Sequence, residues 1–430
     1  MSPRKPSGPT REDHVGDGRP GGRDVRTRPR SPTGRDDIHP VDDHLILTAV
    51  RGLEAITAEE AAEHGLPGAT PLQGAVRVPV DPDQRVRAAM RACLWMRTAE
   101  QVILPLARAR IRRPGDLAPA LAAMSLAPHF GPDHTLAVEA SIRRDNGPPP
   151  HLLALRVKDA IVDQLRDAHG RRPFVDTEQP DIAVHADLDD QVLTIGLRLH
   201  HEPLHRRGYR QHGGPAPVRE TIAAALIRFS GWDRRSPLCD PLCGSGTLPI
   251  EAAGIAARIA PGEDRPWGFL RWPTFPEHQA DWDALLKEAR DLRKPSGPPI
   301  FARDADPRAV AATRRHVVAA GLQDRVFVSQ ADVSALAPLD PAGTFVANPP
   351  WGERLGEGEL EQAREVHRTL GHAARDCPEH RLAVLSMKKV IAGTIPMRPD
   401  AVLPFRNGPL ACQFSRYLVQ GPPAADPSPD

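Results

Sequence analysis

Residues 238–253 read LCDPLCGSGTLPIEAA. Leu238 and Cys239 form a short apolar lead that ends at Asp240-Pro241. Gly244-Ser245-Gly246-Thr247 follows, and then LPIEAAGIAARIA, which has the character of a helix. This is the order strand, tight glycine turn, helix start. Such a turn lets backbone N–H groups approach a ligand closely, and the helix start leaves amides unpaired and slightly positive. A nucleoside-like or anionic group suits that surface, although Gly-x-Gly after a strand is a weak signal by itself. Two details narrow it. Asp240 stands at the strand end, where it would repel a phosphate, and no Gly-Lys-Ser/Thr follows, which excludes a P-loop. An acid at the turn fits a cationic ligand, and the amino group and sulfonium of S-adenosylmethionine carry that charge.

A second stretch, residues 344–355, reads TFVANPPWGERL. An apolar strand ends at Asn348-Pro349-Pro350-Trp351. Two prolines in a row continue neither a central strand nor a helix, so they fix a stiff extended loop at the strand's carboxyl end. In an open α/β sheet that edge is where ligands bind. Asn348 offers an amide oxygen, the prolines leave carbonyls free, and Trp351 offers a flat ring. These parts suit a planar amine, with acceptors for its N–H groups and a ring for its face. Asn348, Pro349, Pro350 and Trp351 are therefore the candidate catalytic residues.

Between the two stretches, PIFARDADP (299–307) predicts a strand ending at Asp304, and RVFVSQADV (325–333) another with Asp332 at its end. An acid at the end of the second strand accepts ribose hydroxyls. Asp306 is the runner-up for that role and equally fits a helix cap. Asp332 is placed to meet an adenine amino group.

These residues need a scaffold. The chain has 430 residues, enough for two or three domains, and a formal net charge of +1, so it is no global polycation. Its first thirty residues hold eight Lys/Arg and four Asp/Glu among many Pro and Gly. Such a segment buries too little apolar surface to order itself, and residues 1–42 are expected to be a disordered arm, with order beginning near His44. No apolar run is long enough to span a membrane, and the N-terminus lacks the apolar stretch of a secretory signal. The five cysteines are scattered, as reduced cytosolic thiols would be, and the spacing of Cys239 and Cys243 lacks the second pair of a zinc site. His200, His201 and His205 lack a helically spaced acidic or thiol partner and read as surface or groove histidines. Location in the cytoplasm and a monomeric state are expected.

In order, 45–50 is a strand, 53–64 a helix stopped by Gly65, 74–80 a strand, and a second helix begins near Pro82. Residues 43–95 thus form a small α+β subdomain. Residues 97–117 read as a strand and a basic linker into a helix, 135–143 as a strand, and 158–168 as a helix stopped at His169-Gly170. DIAVHADL (181–188) and QVLTIGLRL (191–199) alternate like a hairpin. Residues 97–172 hold twelve Lys/Arg against eight Asp/Glu. Arg112-Arg113, Arg143-Arg144 and Arg171-Arg172 stand out, and by themselves read equally as solvated basic surface. Arg206, Arg207 and Arg210 precede a Gly-Gly-Pro-Ala-Pro turn, with a helix expected from Pro217 to Ser230. Residues 261–299 look like an insertion with a helix at 281–292. A helix at 308–320, a strand around Val384-Leu385-Ser386 and a last strand at 412–419 complete the reading.

Taken together, DPLCGSGTLPIEAA (240–253), RDADPRAVAATRRHVVAAGL (303–322), ANPPWGERLG (347–356) and LHRRGYRQHGGPAPVRETIAAALI (204–227), with a weaker match from LTAVRGLEAITAEEAAEHG (47–65), resemble the THUMP-domain class I RNA methyltransferases that form N2-methylguanosine in tRNA or 23S rRNA. The resemblance spans most of residues 44–420. It implies a ferredoxin-like α+β subdomain at 43–95, an RNA-binding THUMP domain at 96–203, a Rossmann-like class I methyltransferase domain with a mostly parallel sheet at 204–420, and a tail at 421–430. It implies S-adenosylmethionine as cofactor at Asp240, Cys243, Gly244, Gly246, Thr247, Asp304, Asp306, Asp332 and Asn348, no metal, and structured RNA as partner. That RNA would be held through phosphate contacts by Arg112, Arg113, Arg143, Arg144, Arg171, Arg172, Arg206, Arg207 and Arg210, contacts that position an RNA without reading it. The family usually has Asn-Ala where Arg315-His316 stands and Tyr where Trp351 stands. The alternatives are an N6-adenine methyltransferase on RNA or DNA, since the loop serves either amine, and an RNA-binding module without a working cofactor site.

Overall fold

The computed structural model describes residues 38–41, 43–131, 133–142, 148–210, 218–352 and 357–420. Among these residues the chain builds two sheets. The first contains β1 (Ile38–Pro40), β2 (His44–Thr48), β3 (Thr70–Leu72), β4 (Ala75–Pro79), β5 (Gln101–Arg110), β6 (Leu136–Ile142), β7 (Ile182–Asp189) and β8 (Val192–Arg198). Its order is β3-β4-β2-β5-β8-β7-β6, with β1 also on β5. The central strand β5 reads QVILPLARAR and is buried along most of its length, as an apolar run flanked by other strands should be. One continuous sheet therefore runs through both amino-terminal regions.

Order begins earlier than expected. β2 pairs with β5 only at Gln101–Ile103, and β1 covers the free edge at Ala107–Ala109. Val41 is buried there and its amide donates to Leu106 O at 3.0 Å. Thus Ile38–Val41 belong to the fold, because an unpaired strand edge gains hydrogen bonds from any extended apolar segment.

The helices of this half are α1 (Glu54–Glu63), α2 (Arg85–Trp95), α3 (Leu117–Ala123) and α4 (Pro150–His169). α4 begins eight residues before the expected start at Lys158, since Leu153 and Val157 extend the buried stripe of Ile161 and Leu165 upstream. Gly170, at φ 73°, ends it in the left-handed conformation.

The second sheet contains β9 (Leu238–Asp240), β10 (Ile300–Asp304), β11 (Val326–Gln330), β12 (Thr344–Ala347), β13 (Arg381–Met387), β14 (Ala401–Asn407) and β15 (Leu410–Leu418), in the order β11-β10-β9-β12-β13-β15-β14. The first five in that order are parallel, and β15 and β14 are antiparallel. Its helices are α5 (Glu220–Phe229), α6 (Thr247–Ala256), α7 (Gln279–Asp291), α8 (Pro307–Ala319), α9 (Glu357–Arg375) and α10 (Lys388–Ile391). The strand order reverses between β9 and β12, which opens a crevice at their carboxyl ends.

The two cores interlock. Trp267, Phe269, Trp272, Phe275 and Trp282 of the 261–299 segment are buried in the amino-terminal core, not in that of the second sheet. Arg91 holds Glu288 of α7 through two bonds of 2.8 and 2.7 Å. In return, Val50, Leu53 and Ile56 are buried in the core of the second sheet. The insertion read from the sequence is thus an aromatic wedge between the halves.

Candidate active site

β9 and β12 are hydrogen-bonded neighbours, with Thr344 opposite Leu238 and Phe345 opposite Cys239. The carboxyl ends of these strands therefore bring Asp240 and Asn348 to one edge of the sheet. β10 lies on the other side of β9, with Ala302 opposite Asp240, so Asp304 projects two residues further along the same edge.

Asp240 is 1% exposed, and its Oδ1 accepts the Leu242 amide at 3.0 Å. Burial, with the nearby charge of Asp304 as a smaller cause, pushes its carboxyl well above the usual range. A buried carboxylate in this position is stabilised by a cation placed against it.

Asp304 joins the strand end to the glycine turn. Its Oδ2 accepts the Gly244 amide and its Oδ1 the Asp306 amide, both at 2.9 Å. The turn is also braced from α8. Thr313 Oγ1 donates to Gly244 O at 2.8 Å, and His316 Nδ1 donates to Ser245 O at 2.8 Å. Gly246 has φ 83°, and a Cβ there would lie 2.7 Å from Thr313 Cγ2, so glycine is required on both counts. Thr313 and His316 were not among the expected site residues. Their signal was two polar residues on the buried face of α8 that also carries Val310 and Val317.

Among the described residues, three polar atoms around this crevice are buried without a hydrogen-bond partner: Thr247 Oγ1, Asn348 Oδ1 and Trp351 Nε1. Each such group costs about 1–3 kcal/mol when left unpaired. The buried Asp240 and Thr247 Oγ1 suit a polar, partly cationic ligand such as S-adenosylmethionine, and Asn348 Oδ1 is an acceptor facing the same crevice. Pro349 is buried and Pro350 exposed; Trp351 is half-buried against the second core. Gly352, at φ 65°, turns the chain toward α9. Glu353 lies outside the described residues.

The remaining candidates sort by geometry. Cys243 is buried, its amide donates to Arg303 O at 2.8 Å, and burial pushes its thiol up. Cys239 beside it is likewise pushed up, to about 12, by burial. Neither is a ready nucleophile. Asp306 is exposed and caps α8, accepting the Arg308 amide at 2.8 Å. Asp332 lies two residues past the end of β11 instead of within it. Its Oδ1 accepts from Ser334 Oγ and the Ser334 amide, at 2.6 and 2.9 Å, which holds its carboxyl below the usual range.

Among the arginines, Arg113 is 71% exposed and bonded to Asp116 at 3.0 Å. The Arg112 amide also donates to Asp116, at 3.1 Å. Arg171 pairs with Asp133 at 2.7 Å and Arg172 with Asp163 at 4.0 Å, both on the surface. Arg143 and Arg144 lie outside the described residues. Arg206 is exposed beside Glu202. Arg207 and Arg210 are corrected. The Arg207 side chain is 5% exposed and its Nη2 donates to Arg97 O at 2.6 Å, with Glu251 nearby at 3.7 Å. Arg210 Nε donates to the buried Glu220 at 2.8 Å. Both guanidiniums face internal carboxylates; that of Arg207 is closed to a phosphate, and that of Arg210, 18% exposed, is engaged by Glu220. His200 is corrected too, from surface to core: Nε2 accepts the Val102 amide at 3.3 Å, Nδ1 donates to Glu202 O at 2.9 Å, and burial keeps the ring neutral.

Arg207 belongs to a buried cluster that ties the halves together. Arg97 Nη1 donates to Glu251 Oε2 at 2.6 Å, and Tyr209 Oη to Glu251 Oε1 at 3.4 Å. Glu251 sits on α6, the helix that starts at the glycine turn.

The strand order, the antiparallel β15 and the acid-flanked glycine turn define a class I methyltransferase domain, a class that draws its methyl group from S-adenosylmethionine. Residues 207–416 match the RMKL-like methyltransferase domain, 116–198 the THUMP domain and 44–103 the RlmL ferredoxin-like domain. The matches assign the chain to the family in which a THUMP domain precedes a class I, RMKL-like methyltransferase domain. The chain is 36% identical over 389 residues to the ribosomal RNA large subunit methyltransferase K/L of Syntrophotalea carbinolica, covering 87% of this chain and 53% of that protein. It is 38% identical over 390 residues to the protein of the same name from Pseudomonas entomophila, covering 87% and 52%. The chain thus spans about half the length of these curated relatives. A solved structure from Listeria monocytogenes, described as a predicted N6-adenine-specific DNA methylase, superposes with a TM-score of 0.77 at 28% identity, over 87% of this chain and 96% of that one. Among the described residues no helix is long and apolar enough to cross a membrane.

Proposed function

We propose that the protein methylates the exocyclic N2 amine of a guanosine in large-subunit (23S) ribosomal RNA, with S-adenosylmethionine as methyl donor. The observation that carries this reading is Asn348 Oδ1 at the carboxyl end of β12, buried and, among the described residues, unpartnered. An exocyclic amine donates an N–H to that oxygen. A ring nitrogen such as guanine N7 is itself an acceptor and would leave it unpaired. The choice of ribosomal RNA rests on the K/L relatives.

In this reading residues 43–95 and 96–203 hold the RNA, and residues 204–420 hold the cofactor and the target base. Asp240 meets the cationic end of the cofactor. Asp304 keeps a free lone pair on each oxygen for ribose hydroxyls, Asp332 meets the adenine amine, and residues 243–247 line the cleft. Asp306 is left as a helix cap. When bound, S-adenosylmethionine supplies a methyl group already activated on sulfonium. The chain's task is then alignment of the amine with that carbon. Asn348 Oδ1 and the Pro349 carbonyl accept the amine's hydrogens, localise its lone pair and stabilise the positive charge that grows on nitrogen. Trp351 flanks the base, which leaves its stack to reach the loop. No protein base is assigned, and the proton leaves to water.

Methylation of adenine N6 is the second reading, favoured by the description of the Listeria structure and by the same loop chemistry. Nucleoside mass spectrometry of 23S rRNA and tRNA from a strain lacking the gene separates them. Loss of N2-methylguanosine from 23S rRNA supports the proposal; loss of N6-methyladenosine with N2-methylguanosine intact overturns it.

A further inference from the structure

The carboxyl edge of the second sheet holds more than the crevice. β15 runs antiparallel to β13, with Cys412 opposite Met387, so the β14–β15 turn at Gly408 overhangs the edge where Asn348 lies. Against it packs the turn between β2 and α1, where the Arg406 amide donates to Arg51 O at 3.0 Å. A pocket of about 340 Å³ opens between these turns, lined by Arg51, Glu100, Arg219, Arg406 and Gly408 among others.

Its charge is one-sided. Arg219 is clamped, with Nη1 on Glu100 at 2.6 Å and Nη2 on Asn407 Oδ1 at 3.1 Å, so the one lining carboxylate is already paired. Thr221 Oγ1 also donates to that carboxylate. Arg51 is exposed, and among the described residues its guanidinium has no hydrogen-bond partner. Arg406 is exposed, and among the described residues its guanidinium bonds only Pro409 O, at 3.0 Å, which leaves most of its donors free. Lys388 and Lys389, exposed at the end of β13, continue the positive strip toward β12. The interdomain cavity beside Trp95 differs: there Arg228 and Arg234 are both held by Glu63, and Gly254–Ile259 place it at the far end of α6 from the glycine turn.

We propose that the pocket of Arg51, Arg219 and Arg406 seats a backbone phosphate of the RNA next to the target nucleotide. The inference rests on the RNA-methylating function above. Guanidinium forks match phosphate oxygens, and contacts of this kind fix the register of a strand without reading its bases. Three strand spacings separate β12 from β14, roughly 14 Å, a span that a few nucleotides bridge. The pocket also explains why the β2–α1 turn is built into the methyltransferase core: one phosphate seat is made jointly by the RNA-holding half and the catalytic half.

The test uses the full chain and a 23S rRNA fragment that the wild type methylates. The double variant R51A/R406A is expected to bind this RNA about tenfold more weakly, and the slope of log K against log salt to become shallower by roughly 0.7–0.9 for each phosphate no longer neutralised. S-adenosylmethionine affinity should stay at the wild-type value, which reports an intact fold. R51K/R406K should recover most of the slope, since a phosphate contact depends mainly on charge. An unchanged slope in R51A/R406A overturns the proposal. So does calorimetric binding of inorganic phosphate that the variant lacks while its RNA slope is unchanged, which would assign the pocket to a free anion. Failure of the wild type to methylate any RNA would strike the proposed function instead, a separately visible result.

Discussion

The carboxylate of Asp304 receives the backbone amide of Gly244 at 2.9 Å. The group proposed to hold the ribose and the turn proposed to cradle the cofactor are therefore one hydrogen-bonded unit. Replacing Asp304 removes a ligand-binding group and releases the turn together. Asp304→Ala is expected to weaken S-adenosylmethionine binding by about 1–3 kcal/mol for the missing acceptor. Isothermal calorimetry on the full chain checks this, and wild-type affinity would remove Asp304 from the site.

Asp240 gives the site a pH signature. Its folded carboxyl is raised by burial and by the charge of Asp304, so between the ordinary carboxylate value and the raised one the ligand-free protein holds a proton there that the unfolded chain has released. Its contribution to stability is full below the ordinary carboxylate value and is lost as pH rises through the raised one. A cationic ligand favours the ionised form, so cofactor binding should release a proton. Calorimetry in buffers of different ionisation enthalpy should show that release in the wild type and not in Asp240→Asn. Equal proton release in both proteins would count against the assignment.

The bond between Arg97 and Glu251 predicts a thermodynamic coupling between the two halves. Both side chains are nearly buried, and their bond is 2.6 Å long. Removing one member leaves the other charge buried, at a cost of about 3–5 kcal/mol. Arg97→Ala should lower stability by that order in urea titration, and the double change of Arg97→Ala with Glu251→Ala should cost less than the sum of the single ones. Additive losses would show the pair to be energetically independent.

Arg112, Arg113, Arg171 and Arg172 lie on the surface of the amino-terminal half, and Arg113 and Arg171 are tied to acidic neighbours. The Arg171–Asp133 pair is exposed on both sides, and such pairs are worth little and open readily to a better anion, whereas Arg113 rests on the buried Asp116. Replacing all four by Ala should reduce the salt slope of RNA binding by roughly 0.7–0.9 for each phosphate that an arginine had neutralised, with cofactor affinity kept. A slope equal to that of the wild type would leave them as solvated surface.

The strand ends and their loops were legible because glycine and proline punctuate them: Gly244, Gly246 and the Pro349-Pro350 pair mark turns whatever surrounds them. α9 was not legible. Its buried stripe is Ala363, His367, Leu370 and Ala374, of which Leu370 alone is a large apolar residue, so the stripe carries little apolar signal. His367 is buried because its ring bonds Ala363 O at 2.7 Å and Ser386 Oγ at 2.8 Å. β14 was hidden by Pro404, which a sheet accepts here because β14 is an edge strand. The inward turn of Arg207 and Arg210 escaped for another reason. A cationic run reads as surface until the fold brings Glu251 and Glu220 beneath it. The bracing of Ser245 by His316 likewise depends on an approach of distant residues, which no local pattern announces.

The buried Asn348 Oδ1, unpartnered among the described residues, is proposed to hold the reacting amine. Its most direct test is single-turnover methylation of 23S rRNA with saturating enzyme and cofactor, which isolates the chemical step from product release. Loss of one oriented group of this kind typically costs about 2.7–4 kcal/mol, on the order of a hundredfold or more in rate. The account predicts such a loss for Asn348→Ala, with cofactor affinity changed far less. A wild-type single-turnover rate in that variant would contradict the account and reduce the Asn348-Pro349-Pro350 loop to a structural turn.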